Sequence, residues 1–247
     1  MSLLRAMKSE LFTISKHVKH GVNDLLFKNR AENNRCWPTA IIFHGYTYFS
    51  SAFNGISLHL EKEEIRTKLW KFDYRKKIED NAIEITDIIN EKYYKQGRKI
   101  LLAGHSEGGL IVREILSRLP EPENLVKSVV FLGVPHQGTY AAYLNYWVPA
   151  CKDMIPGSEY LTQLNQKELP SNIPITNIVS SKDECIFPRR NALLPKQGNI
   201  ENIILDDVGH IGMTERMDLI VGGLKRQIPA YQEHHCSGNQ RNNHIII

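Results

Sequence analysis

The 247-residue chain has no apolar run long enough to span a bilayer. Its first thirty residues lack the continuous apolar core of a secretory signal. Cytoplasmic residence is therefore the expectation, with peripheral membrane contact still open. Cysteine is scarce: Cys36, Cys151, Cys185 and Cys236 form no Cys-x-x-Cys pair. No disulfide framework is indicated, and no His/Cys group has zinc spacing, so no metal is expected. A broad basic face is missing too. The net charge is +4, and residues 1–30 hold six Lys/Arg against two acids; removing these from 31 and 27 leaves 25 of each sign. A neutral body argues against nucleic acid as a partner. Internal repeats are absent.

What is present fits one globular domain. A hydrophobic fraction of 42% and a charged fraction of 23% are ordinary for such a chain. Residues 1–30 read as an amphipathic helix, with Leu4, Met7, Leu11, Ile14, Val18, Val22 and Leu25 in one stripe. The stripe packs on the protein's own core or touches an anionic membrane surface. Residues 31–228 read as strands alternating with helices. Strands are expected at 39–43, 69–72, 100–103, 128–132, 174–179 and 200–205, and helices at 57–66, 80–96, 110–116 and 213–226. That alternation implies a mostly parallel sheet covered by helices on both faces. Residues 138–170 interrupt it. They carry Tyr140, Tyr143, Tyr146, Trp147 and Tyr160 and read either as a lid or acyl-pocket wall or as an ordinary packed connection. Residues 232–243 are polar and aperiodic, and 229–247 read as a flexible tail.

The segment Gly104-His105-Ser106-Glu107-Gly108-Gly109 lies between a buried-strand pattern and a helical one. A serine at the apex of such a turn takes strained backbone angles and tolerates only small residues two places either side. Ser106 is thus the candidate nucleophile. A hydroxyl needs a base, and His210, on a glycine-flanked turn after the last strand, is the candidate. The base needs an orienting acid. Asp183 fits best, with Glu184, Asp206 and Asp207 as rivals. Two N–H groups must face the oxyanion: those of Glu107 and of Tyr46, the latter in the loop His44-Gly45-Tyr46 after the first strand.

Five motifs then fall in a familiar order: Phe43-His44-Gly45-Tyr46, Gly104-His105-Ser106-Glu107-Gly108-Gly109, Gly133-Val134-Pro135-His136-Gln137-Gly138-Thr139, Ser180-Ser181-Lys182-Asp183 and Gly209-His210-Ile211-Gly212. Together they resemble α/β-hydrolase lipases and esterases, in particular the small bacterial triacylglycerol lipase branch. The resemblance implies an α/β-hydrolase fold and hydrolysis of an apolar acyl or lipid ester through Ser106, Asp183 and His210, without a cofactor. An acyltransferase or thioesterase would use the same atoms, and a silent binding module would keep the fold alone. Glu107 departs from the pattern, which has an uncharged residue there. A carboxylate at this place opposes the oxyanion unless it turns out to solvent.

Overall fold

The computed structural model describes residues 38–46, 53–63 and 65–226. The expected amphipathic helix at 1–30 and the tail at 229–247 lie outside the described residues. Six strands form one sheet: β1 (Thr39–Phe43), β2 (Arg66–Trp70), β3 (Ile100–His105), β4 (Val126–Leu132), β5 (Ile175–Ser180) and β6 (Ile200–Leu205). Their order is β2-β1-β3-β4-β5-β6, and every neighbouring pair is parallel. The helices are α1 (Asn54–Lys62), α2 (Ile78–Ile89), α3 (Glu107–Arg118), α4 (Pro122–Leu125), α5 (Pro149–Asp153), α6 (Glu159–Gln166) and α7 (Met217–Lys225).

The near-continuous apolar strands follow from burial on two sides. Successive residues point to opposite faces of the sheet. Ile41, Phe43, Leu102, Val129 and Phe131 therefore pack with α2, α3 and α5 in one core. Ala40, Ile42, Leu101, Ala103, Val130 and Leu132 pack with α1 and α7 in the other. Each fully buried Ile, Leu or Phe contributes about 1.5–3 kcal/mol by leaving water. α3 is buried along most of its length, from Glu107 to Leu116. It is the central helix under the serine turn.

Four elements differ from the sequence reading: the strand expected at 69–72 runs from Arg66 to Trp70, and three helices shift. The helix expected at 57–66 starts earlier and stops at Lys62, because Arg66 to Trp70 pair in register with Thr39 to Phe43 as β2. Its sequence, Arg-Thr-Lys-Leu-Trp, is polar because this strand lies at the edge of the sheet, half-exposed. The helix expected at 80–96 begins at Ile78, whose N–H donates to the Asp153 carboxylate at 2.9 Å, and closes in a π turn over Asn90–Tyr94. The helix expected at 213–226 divides into a 3₁₀ turn, Gly212–Glu215, and α7, with Arg216 out of helical conformation between them.

Residues 138–170 pack inward and expose apolar groups outward. Ala150, Cys151, Met154, Leu161 and Leu164 belong to the α2–α3 core. Arg113, buried on α3, donates to Asn165 and to the carbonyls of His136 and Leu164. Lys167 pairs with the buried Glu114 at 2.8 Å. On the outer side Tyr140, Tyr143, Leu144, Tyr146 and Trp147 are exposed, Leu144 at 75% and Trp147 at 64%. Among the described residues no helix is long and apolar enough to cross a membrane.

Candidate active site

β3 ends at His105, and α3 begins at Glu107. Ser106 joins them with φ 54° and ψ −124°, the one non-glycine residue of positive φ among those described. Such a conformation costs on the order of 1–3 kcal/mol and persists only where surroundings enforce it. They do so here. The Ser106 N–H donates to the Leu132 carbonyl at 2.9 Å, tying the turn to the end of β4. A Cβ on Gly104 would stand 2.5 Å from the Gly109 Cα, and one on Gly108 would stand 2.3 Å from the His44 carbonyl oxygen. The helix start thus sits directly against the turn and against the end of β1.

The loop after β1 meets the serine from the other side. A Cβ on Gly45 would approach the Ser106 Cβ to 2.9 Å, so only glycine lets the loop pass. His44 is buried, its ring stacked on Phe72 at 4.2 Å, and its Nδ1 donates to the Gly45 carbonyl at 2.9 Å. Burial keeps this imidazole neutral. The fold thereby brings Tyr46 to the serine loop, its ring edge-on to Tyr74 at 5.1 Å. Burial and a hydrogen bond with Cys151 push the Tyr46 phenol up to about 12. At the helix start, the Glu107 N–H belongs to a first turn whose amides have no carbonyl of their own helix to bond.

Asp183 and His210 come together from the loops after β5 and β6. The His210 Nδ1 donates to Asp183 Oδ2 at 2.7 Å, and both side chains are buried. Asp183 Oδ1 accepts from the amides of Cys185 and Ile186, each at 2.8 Å. Burial works to raise the Asp183 pKa. The His210 imidazole and the two amides outweigh it and hold the carboxyl below its ordinary value. The rivals are placed elsewhere. Asp206 and Asp207 are exposed, Asp207 near Arg216, and Glu184 accepts from the main-chain N–H of His210.

Ser106 and His210 each lie against the end of β4. Leu132 accepts from Ser106, and the next residue, Gly133, lies against the imidazole: a Cβ there would come 3.0 Å from His210 Nδ1. The Ser106 hydroxyl makes no hydrogen bond to His210 among the described residues, whereas the His210–Asp183 bond is formed. Hydrogen bonds of this kind are often long before substrate binds.

Two residues beside Ser106 have environments of their own. His105 reaches the His210 loop. Its Nε2 donates to the His210 carbonyl at 3.2 Å, and the two rings lie 4.7 Å apart. Burial first, then the neighbouring His210, lowers its pKa to about 3, so it is neutral across the physiological range. No spacing rule links residues 105 and 210; only the topology β3–β4–β5–β6 does. Glu107 does not turn to solvent. Its exposure is 0%, and neither carboxyl oxygen has a hydrogen-bond partner among the described residues. Burial, then the charges of Asp153 and Asp73, raise its pKa well above the ordinary value. Burial thus favours its protonated, neutral form over the carboxylate.

The donor atoms nearest to a metal-binding arrangement are those of Asp183, Cys185 and His210. A cleft of about 650 Å³ opens nearby beyond β2, lined by Trp70, Phe72, Asp73, Tyr74, Asn81 and Ile85 among others. None of the candidate catalytic residues lines it.

The parallel sheet with helices on both faces, and a serine turn between β3 and α3, define an α/β-hydrolase fold. The chain matches no protein-family model and no curated protein. Among solved structures it is similar to the mature form of a Bacillus licheniformis lipase, with a TM-score of 0.61 and 19% identity over 75% of this chain and 90% of that one. It is also similar to Aspergillus fumigatus lipase B, with a TM-score of 0.61 and 13% identity over 76% of this chain and 52% of the other. A third is a Paleococcus ferrophilus monoacylglycerol lipase, with a TM-score of 0.57 and 16% identity over 76% and 95%. At these identities the likeness establishes the fold.

Proposed function

We propose that the protein is a serine carboxylic-ester hydrolase acting on an apolar acyl ester. The observation that carries this reading is the strained serine at the start of α3 beside the buried Asp183–His210 pair. Ser106 Oγ attacks the acyl carbonyl while His210 Nε2 takes its proton. The imidazolium is held by the ionised Asp183, and the oxyanion accepts from the N–H groups of Tyr46 and Glu107. His210 returns the proton to the departing alcohol, leaving Ser106 acylated. A water then attacks the acyl-enzyme, His210 takes the water proton, and collapse releases the acid and restores the Ser106 hydroxyl. The neutral state of Glu107 supports the scheme, since no carboxylate charge then opposes the oxyanion.

The likeness to lipases and the exposed apolar residues Tyr140, Tyr143, Leu144, Tyr146 and Trp147 support an apolar acyl group. On a series of nitrophenyl esters, kcat/KM should rise by up to about fourfold for each methylene buried, from about 0.8 kcal/mol per group. Ser106→Ala should reduce turnover by about 10⁶-fold and abolish labelling by a fluorophosphonate. Undiminished hydrolysis in that variant sinks the assignment.

A further inference from the structure

The sequence spacing of Asp183, Cys185 and His210 matches no zinc motif. The fold nonetheless gathers one ligand atom from each, all within 4.8 Å of one another. We propose that these three side chains form an inhibitory site for a thiophilic divalent cation, Zn²⁺ foremost. The inhibition rests on the ester-hydrolase reading above; the binding does not.

The donor set is one sulfur, one imidazole nitrogen and one carboxylate oxygen. Hard cations such as Mg²⁺ and Ca²⁺ prefer oxygen ligands alone, whereas Zn²⁺ takes this mixture in tetrahedral geometry. With Zn–S near 2.3 Å and Zn–N near 2.0 Å, neighbouring ligands stand about 3.5 Å apart. At its widest the cluster contracts by up to about 1.3 Å to reach that spacing, while the Asp183–His210 pair opens from 2.7 Å. The main chain at Cys185 is held in place. Cys185 is pinned at both main-chain groups: its N–H donates to Asp183 Oδ1, and its carbonyl accepts from Thr139 Oγ1, each at 2.8 Å. Rotation of the thiol about its Cα–Cβ bond is the available adjustment. Asp183 Oδ1 stays with its two amides, and Oδ2 is the oxygen that transfers from the imidazole to the ion.

Access and charge also fit. Cys185 is exposed, whereas Asp183 and His210 are buried, so the thiol marks an entry path to an otherwise enclosed pair. The ionised carboxylate supplies one negative charge. Binding converts the Cys185 thiol to a thiolate, its proton passing to solvent, and a water fills the fourth position. Catalysis and binding then exclude each other. An ion on Nε2 occupies the lone pair that serves as base. An ion on Nδ1 moves the ring proton to Nε2, which removes the same lone pair.

The test uses the full chain freed of metal by a chelator. Added Co²⁺ should give a near-ultraviolet thiolate-to-cobalt charge-transfer band saturating at one equivalent, displaced by Zn²⁺ and absent in Cys185→Ser and Cys185→Ala. Zn²⁺ should inhibit nitrophenyl ester hydrolysis reversibly, with chelator restoring the rate. In both variants, each referred to its own metal-free rate, the half-inhibiting Zn²⁺ concentration should rise at least about tenfold. Unchanged inhibition in the variants, or a cobalt band of equal strength in them, overturns the proposal. The cobalt band reads the site even if no ester is hydrolysed, so failure of binding and failure of the hydrolase reading are told apart.

Discussion

Two carboxyl groups are buried close to the same serine turn, and they differ in every respect but chemistry. Asp183 accepts from an imidazole and two amides. Glu107 has no hydrogen-bond partner at either oxygen among the described residues. Burial opposes ionisation of both. At Asp183 three donors outweigh it; at Glu107 nothing does, and the charges of Asp153 and Asp73 add to it. The helix dipole at the start of α3 favours a carboxylate by about 1 kcal/mol or less. Removing an unpaired carboxylate from water costs several kcal/mol, so desolvation wins. In the proposed mechanism, placement then gives two like groups opposite work: one would hold the imidazolium, the other would stay neutral where negative charge develops.

The largest expected effect separates them on activity. Asp183→Asn should lower kcat by about 10⁴-fold, because the amide no longer fixes the imidazole tautomer. Glu107→Gln replaces one neutral polar group by another of the same shape, and kcat/KM should stay within about threefold of the parent. Steady-state kinetics on one soluble ester measures both. A Glu107→Gln variant as damaged as Asp183→Asn would mean that Glu107 works as an anion, and the contrast would fail.

This contrast marks where the sequence was readable. The serine turn was legible because its steric demands fall on local positions, Gly104 and Gly108, and the flanking strand and helix announce themselves by pattern. The pairing of Asp183 with His210 was legible from chain order, since Asp206 and Asp207 stand too near His210 in sequence to reach its Nδ1. The state of Glu107 was not legible. A carboxylate on the first turn of a helix reads as solvated, and only its complete burial in the folded chain, with the charges of Asp153 and Asp73, decides otherwise. β2 was half-hidden for a related reason: an edge strand that is half-exposed carries no apolar run.

A middling effect is expected at His105, which supports the His210 loop without reaching the substrate. His105→Phe removes the hydrogen bond to the His210 carbonyl and keeps the ring volume. Loss of one buried bond of about 1–1.5 kcal/mol should lower kcat by about tenfold with KM little changed. His105→Asn, which retains a donor, should recover part of it. Equal loss in both variants would assign the residue to packing alone.

The smallest expected effect bears on stability, and it reverses in sign between the two carboxyls. Asp183 is held below its ordinary value. Its contribution to stability is present above the unfolded aspartate value of about 3.9 and disappears as pH falls through the folded one. Glu107 is held above its ordinary value. The folded state then binds a proton that the unfolded chain has released. Stability is full below about 4.3 and declines as pH rises toward the folded value, by up to about 1.4 kcal/mol per unit. In thermal melts from pH 5 to 8, Glu107→Gln should remove this decline, leaving a flatter profile than the parent. Each kcal/mol corresponds to about 2–4 °C for a domain of this size. The slopes are the measure to compare, because the glutamine amide also lacks partners and shifts the whole curve. Parallel profiles for parent and variant would mean that Glu107 titrates alike in the folded and unfolded chain, and the neutral acid beside the oxyanion would have to be abandoned.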